Sequence, residues 1–182
     1  VLTYTFSSVE SMPSATSSIR FTATDARGNH EGELGSFRGI IAVANGDPNQ
    51  SSITVEMDLS SLRTDDAKLT NALKSRDFLD VARYPRARFS SESIANSGEL
   101  GATNTVAGTL ELHGVRLSIT IPATVHVHPE GVDVDAELTL HPKDFALTFP
   151  GKRNAPVEND IVLMLLVTAL RASEASSELL RP

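Results

Sequence analysis

Five histidines have the widest chemical repertoire in this 182-residue chain, and their spacing limits what they can do. His126 and His128 stand two apart in a stretch with strand alternation, so both imidazoles share one face, as in a two-histidine metal site. Two ligands do not complete such a site, and the plainer reading is a pair of exposed histidines beside a turn. His30 sits in a glycine-containing connection, Gly28 to Gly35 (GNHEGELG), and His113 ends a strand before Gly114. Both suit a backbone hydrogen bond better than catalysis. His141 precedes Pro142 and reads as exposed.

The remaining reactive groups point no further. Cysteine is absent, which excludes thiol catalysis, disulfides and cysteine-ligated zinc. Serine is abundant, but no G-x-S-x-G elbow is present to raise one as a nucleophile. Asp65 and Asp66 are chain neighbours, so they cannot flank a substrate as paired acid and base; with Thr64 they are helix N-cap candidates. Gly28 to Gly35 lacks the Lys-Ser/Thr and following helix of a phosphate loop. The formal net charge of -7 disfavours nucleic acid as a partner. No apolar run reaches the length of a membrane-spanning helix. No catalytic residue, metal site or cofactor is expected.

The elements that would position any site are mostly strands. Ile19 to Thr24 alternates, with Ile19, Phe21 and Ala23 on one face. Phe37 to Ala44 follows, ended by the turn Asn45-Gly46-Asp47-Pro48. Ile53, Val55, Met57 and Leu59 form the clearest apolar face, and Ser60 to Asp66 reads as a polar break. Leu69, Ala72 and Leu73 then have the spacing of one face of a helix of two to three turns. Phe78-Leu79 makes an apolar knuckle after it, and Tyr84-Pro85 turns the chain into a strand over Ala87 to Ile94.

Strands are also expected over Leu2 to Val9, Val106 to Leu112, Val115 to Val127, Val132 to Leu140 and Asp144 to Phe149. Pro122 predicts a bulge or an edge position within its strand. Ser11 to Ser18 and Pro150 to Pro156 read as loops, and 171–182 as a polar tail behind one domain spanning 1–170. Ile161 to Leu170 is apolar on both faces, which calls for a cover over its outer side, by the helix, a partner subunit or a thicker core. Antiparallel strands with one apolar face each suit a closed barrel or a two-sheet sandwich, and periodicity does not choose.

The order of several blocks does choose. LKSRDFLDVARYPRARFSSESI (Leu73 to Ile94), followed by VAGTLELHGVRLSITIPA (Val106 to Ala123), resembles the YceI family. FRGIIAV (Phe37 to Val43) and KDFALTFPGK (Lys143 to Lys152) resemble its early F-x-G strand and its later D-F stretch, so the likeness runs from about Tyr4 to Ala169. The resemblance implies an all-β fold, an extended eight-stranded antiparallel lipocalin-like β-barrel with one short helix beside it. It also implies an apolar interior that binds a long-chain lipid, a polyisoprenoid or similar amphiphile, rather than an enzyme. A periplasmic or secreted protein is expected, possible as a homodimer, without an integral membrane segment.

On that reading Phe21, Phe37, Phe78, Leu79, Phe89, Leu110, Ile119, Leu138, Phe145 and Leu163 line the lumen. Two other readings remain open at this point: an enzyme using His30, His113 or His126 on such a lipid, and an interaction module with a side-chain-filled barrel. The chain departs from the family where Ala72 replaces a His, Leu79 a second Phe and Ala146 a Gly. The first change removes a polar group beside the helix, together with any head-group contact of that His.

Overall fold

The computed structural model describes residues 1–8, 17–25, 28–98, 101–149, 152–156 and 160–172. Its strands are β1 (Leu2–Ser7), β2 (Ser18–Asp25), β3 (Gly28–Leu34), β4 (Phe37–Ala44), β5 (Asp47–Asp58) and β6 (Leu62–Thr64). After helix α1 (Ala67–Lys74) come β7 (Arg86–Asn96), β8 (Asn104–Leu112), β9 (Val115–His128), β10 (Gly131–Leu140), β11 (Thr148–Phe149), β12 (Lys152–Pro156) and β13 (Ile161–Arg171).

Eight strands, β1-β4-β5-β7-β8-β9-β10-β13, pair antiparallel in that order, and the β1–β13 pairing closes them into a barrel. Closure is brief, Tyr4 opposite Arg171 and Thr5 opposite Leu170. Further along the same edge of β13, β2 takes over from β1, with Ser18 to Ala23 opposite Leu166 to Ile161. β3 then pairs with β2, and β6 with β3. The barrel therefore has two walls on one side: β1 and β4 at one end, and the β2-β3-β6 ribbon at the other.

The first end is filled by side chains. Tyr4, Phe6, Ile41, Val43, Ile53, Ile94, Val106, Val132 and Ala169 are all buried there, as their strand alternation requires. Asn104 is buried too and donates to Asn49 Oδ1 at 3.3 Å while accepting from Thr103 Oγ1 at 2.8 Å, which meets the hydrogen-bonding need of its amide. The second end is crossed by α1 and the segment after it.

Outside, a line of alternating charge crosses five strands. Arg38, Glu56, Arg88, Glu111 and Arg116 lie opposite one another in successive pairings from β4 to β9. Glu56 accepts from Arg38 at 3.1 Å, Arg86 at 2.6 Å and Arg88 at 3.0 Å. Burial pushes the Glu56 carboxyl up, but the guanidiniums of Arg86, Arg38 and Arg88 together outweigh it and hold the group below its ordinary value. Opposite charges facing across strands fix register, because a one-residue slip turns each to the other face.

Several expectations need correction. Of Gly28 to Gly35, all but the last residue form a strand, β3, despite poor strand formers, because β2 supplies a ladder opposite it. Asp144 to Phe149 is mostly not a strand. Pro142 starts a 3-10 turn over Pro142–Phe145, Ala146 adopts φ 54°, and only Thr148–Phe149 extends. Of the loop expected from Pro150 to Pro156, residues 152–156 form β12 opposite β11, and 150–151 lie outside the described residues. The polar break contains a 3-10 turn at Leu59–Ser61 and β6.

Pro122 makes no bulge against β8, where it faces Thr105, but it stands where the β9–β10 ladder stops. The outer side of β13 is not covered by the helix: Met164 is 39% and Leu166 53% exposed. Most of the expected Ser11 to Ser18 loop, and the tail from 173 on, lie outside the described residues.

Candidate functional site

At the helix end the barrel encloses a cavity of ≈ 680 Å³. Its wall comes from β2, β3, β5, β6, β7, β8, β9, β10 and β13, with α1 and the Phe78-Leu79 knuckle across the end. Asp66 begins α1 by accepting the amides of Lys68 at 2.8 Å and Leu69 at 3.4 Å, so it is the N-cap among the three candidates. The helix is two turns long and turns Leu69, Ala72 and Leu73 toward the cavity. None of its residues is fully buried; Leu69, Ala72 and Leu73 are half-buried on the cavity side, and Leu73 also packs against the core.

Phe21, Phe78, Leu79, Phe89, Leu110, Ile119, Leu138 and Leu163 are brought together on this wall. Phe37 and Phe145, expected beside them, lie off it. Phe37 belongs to β4, which walls the filled end, and its ring packs against Phe6 with centroids 6.5 Å apart. β4 itself reaches the cavity level, since Phe37 lies opposite Met57 and Gly39 opposite Val55, but no β4 side chain joins the wall. Phe145 is buried in the 3-10 turn, and Leu147, two residues on, reaches the wall instead. Leu34, Leu62 and Met57 also line the space. The first two sat in stretches too polar to read as strands, so no periodic signal marked them.

Glycines keep the phenyl rings out of the way. A Cβ at Gly32 would fall 2.2 Å from Phe21 Cζ, and one at Gly108 would fall 2.8 Å from Phe89 Cζ. Each ring therefore lies over a neighbouring strand's backbone rather than crossing the lumen. Gly39 receives Phe6 in the same way at the filled end, at 2.1 Å.

Polar residues on the wall are Thr24, His30, Asp66 and Lys68, from the end of β2, from β3 and from the start of α1. Thr24, Asp66 and Lys68 are exposed, so this group marks the rim. The other histidines stand elsewhere. His113 Nδ1 donates to the Phe145 carbonyl at 3.0 Å, since a carbonyl only accepts. His128 Nε2 lies 3.4 Å from Asp133, and His141 Nδ1 lies 2.5 Å from Asp160. Among the described residues no cluster of three or more ligating side chains could hold a metal, and none joins His126 to His128.

This combination of an eight-stranded barrel, a capping helix and an apolar cavity agrees with the family comparison: the YceI-like domain model matches residues 11–169. The chain belongs to the YceI-like family. Among curated relatives, a UPF0312 protein of Pseudomonas savastanoi pv. phaseolicola is 38% identical over 122 residues, 63% of this chain and 62% of the relative. A UPF0312 protein of Pseudomonas putida is 33% identical over 138 residues, covering 71% of this chain and 70% of the relative.

Several solved structures share the fold. BcnA of Burkholderia cenocepacia superposes with a TM-score of 0.73 at 22% identity, over 86% of this chain and 96% of that one. A polyisoprenoid-binding domain from Saccharophagus degradans, implicated in plant cell wall breakdown, gives 0.66 at 16% identity, over 94% and 100%.

Proposed function

We propose that this YceI-like barrel binds a long-chain apolar lipid, a polyisoprenoid or similar amphiphile, in the cavity beneath α1. The observation that carries the reading is the helix's apolar face: Leu69, Ala72 and Leu73 face the ≈ 680 Å³ cavity, and no α1 residue is buried. Burying an alkyl chain against such a wall gains roughly 0.8 kcal/mol per methylene-sized group. The Saccharophagus degradans domain, named for polyisoprenoid binding, supports the same class of ligand. Carriage, storage or sequestration suits the site better than turnover. Of the three histidines weighed as acid or base, only His30 is on the wall, and His113 uses Nδ1 to hold Phe145.

An environment-sensitive apolar fluorophore tests this reading. It should bind the purified protein and be displaced by a polyprenol. A fluorophore that neither binds nor is displaced counts against it.

The same reading extends to location and assembly. Export to the periplasm or medium agrees with the family resemblance and with a chain lacking cysteine. Cell fractionation tests it, and recovery only from the cytoplasm refutes it. A homodimer through the outer face of β13 would cover Met164 and Leu166. Light scattering at increasing concentration tests that, with Leu166→Asp expected to leave only monomer.

A further inference from the structure

The cavity has a floor. Its deepest wall residue is Val55 on β5, Ile121 on β9 and Leu165 on β13. Two residues deeper on the same strands, Ile53, Ala123 and Val167 are buried and lie off the wall. Phe6 stands at this boundary. Its ring fills the space over Gly39, where a Cβ would fall 2.1 Å from Phe6 Cζ, and Gly39 lies opposite Val55. Phe37 braces that ring from β4, and Tyr4, Ile41 and Val43, each at most 2% exposed, close the interior behind it.

A closed floor turns volume into a limit on chain length. At about 30 Å³ per methylene-sized group, the share that a water takes in its liquid, ≈ 680 Å³ holds roughly twenty carbons. On β13 the wall runs only from Ile161 to Leu165, a rise of roughly 13 Å, so a chain of that size enters bent. A lipid drawn from a bilayer exchanges one apolar surrounding for another, and the carbons that enter the cavity lose little. Carbons that find no room are left in water, and each of them counts against binding. Binding measured against a bilayer therefore falls off once the chain outgrows the space.

We infer that Phe6 is a specificity-determining residue, which makes this cavity take amphiphiles with an apolar chain of roughly twenty carbons in preference to much longer polyprenols. The inference rests on the lipid-binding reading above and narrows it to a class of chain. Phe6 acts by its bulk: removing the ring would join the space over Gly39 to the cavity, and a larger side chain at Val55 would shorten the space from the same side.

The test offers delipidated protein three isoprenoid alcohols of rising length, farnesol, geranylgeraniol and solanesol, in equal amounts in phosphatidylcholine vesicles. The protein is separated from the vesicles, and the lipid it carries is quantified by mass spectrometry. The wild-type protein should carry geranylgeraniol over solanesol by at least about tenfold. Phe6→Ala lowers the floor and should shrink that ratio by roughly threefold. Val55→Phe adds bulk to open space, so its folding does not depend on the packing that Phe6→Ala removes, and it should turn the preference toward farnesol. Equal loading of geranylgeraniol and solanesol in the wild type overturns the inference and leaves lipid binding standing. An unchanged ratio in folded Phe6→Ala overturns the role of Phe6; if that variant does not fold, an unchanged preference in Val55→Phe overturns the floor. If the protein carries none of the three, lipid binding itself fails, and this inference fails with it.

Discussion

The imidazole Nδ1 of His113 lies 3.0 Å from the carbonyl oxygen of Phe145, joining the β8–β9 turn to the 3-10 turn that follows β10. Tyr84 packs its ring edge-on to the same imidazole, with centroids 4.9 Å apart. The neighbouring Gly114 has φ 73°, and a Cβ there would sit 2.7 Å from the Tyr84 ring. Three sequence blocks distant in the chain, Tyr84-Pro85, His113-Gly114 and Asp144-Phe145, thus meet at one point. Replacing His113 by Ala would leave a buried strap without its donor, and a loss of about 1–3 kcal/mol is expected in urea unfolding. An unchanged urea midpoint would show that the contact contributes nothing.

Gly32 and Phe21 face each other across β2 and β3, and the wall depends on their complementarity. In Gly32→Ala the new methyl meets the Phe21 ring at 2.2 Å and the Arg63 carbonyl oxygen at 2.6 Å. Overpacking of this kind costs about 1–3 kcal/mol and would push the ring into the lumen. Both a lower urea midpoint and weaker binding of an apolar fluorophore are expected. Full retention of both would mean that the ribbon shifts freely.

The Glu56 cluster predicts a pH dependence with a defined sign. Its carboxyl is held below its ordinary value in the folded state, so its contribution is fully present above that ordinary value. It is lost as pH falls through the lowered, folded-state value. Glu56 is 23% exposed and its arginine partners more so, which limits the effect to on the order of 1 kcal/mol. Glu56→Gln should lower stability at neutral pH and flatten the acid limb of the stability curve. A parallel shift at every pH would mean that charge is not the cause.

The knuckle after α1 offers a contrast between two neighbours. Phe78 is buried on the cavity wall, whereas Lys74, at the end of the helix, is not a wall residue. Phe78→Asp should abolish retention of lipid, and Lys74→Ala should leave it intact. Equal retention in the two variants would reduce the segment to a connector.

How much of this was legible beforehand depended on which physical signal each residue carried. Strands with one apolar face, such as Ile53 to Leu59 and Val106 to Leu112, announce themselves by period two, and the helix by Leu69, Ala72 and Leu73. Gly32 and His30 carry no such signal: β3 exists because β2 pairs with it, a tertiary cause that overrides weak propensity. Phe37 and Phe145 have the right type and alternation for a lumen. The ring of the first packs against Phe6 instead, and the second is withdrawn by the proline-started turn. Alternation tells inside from outside, but not which half of a barrel is hollow. The rim was hidden for a related reason, since Thr24, His30, Asp66 and Lys68 come from three elements that only the folded ribbon and helix bring together.

The central claim is that the cavity beneath α1 holds a lipid. The most direct measurement is mass spectrometry of an organic-solvent extract of the protein purified from bacteria. The account predicts a recovered amphiphile with a long apolar chain, at a level approaching one per protein. No lipid in the extract, together with no binding of an added polyprenol, would contradict it.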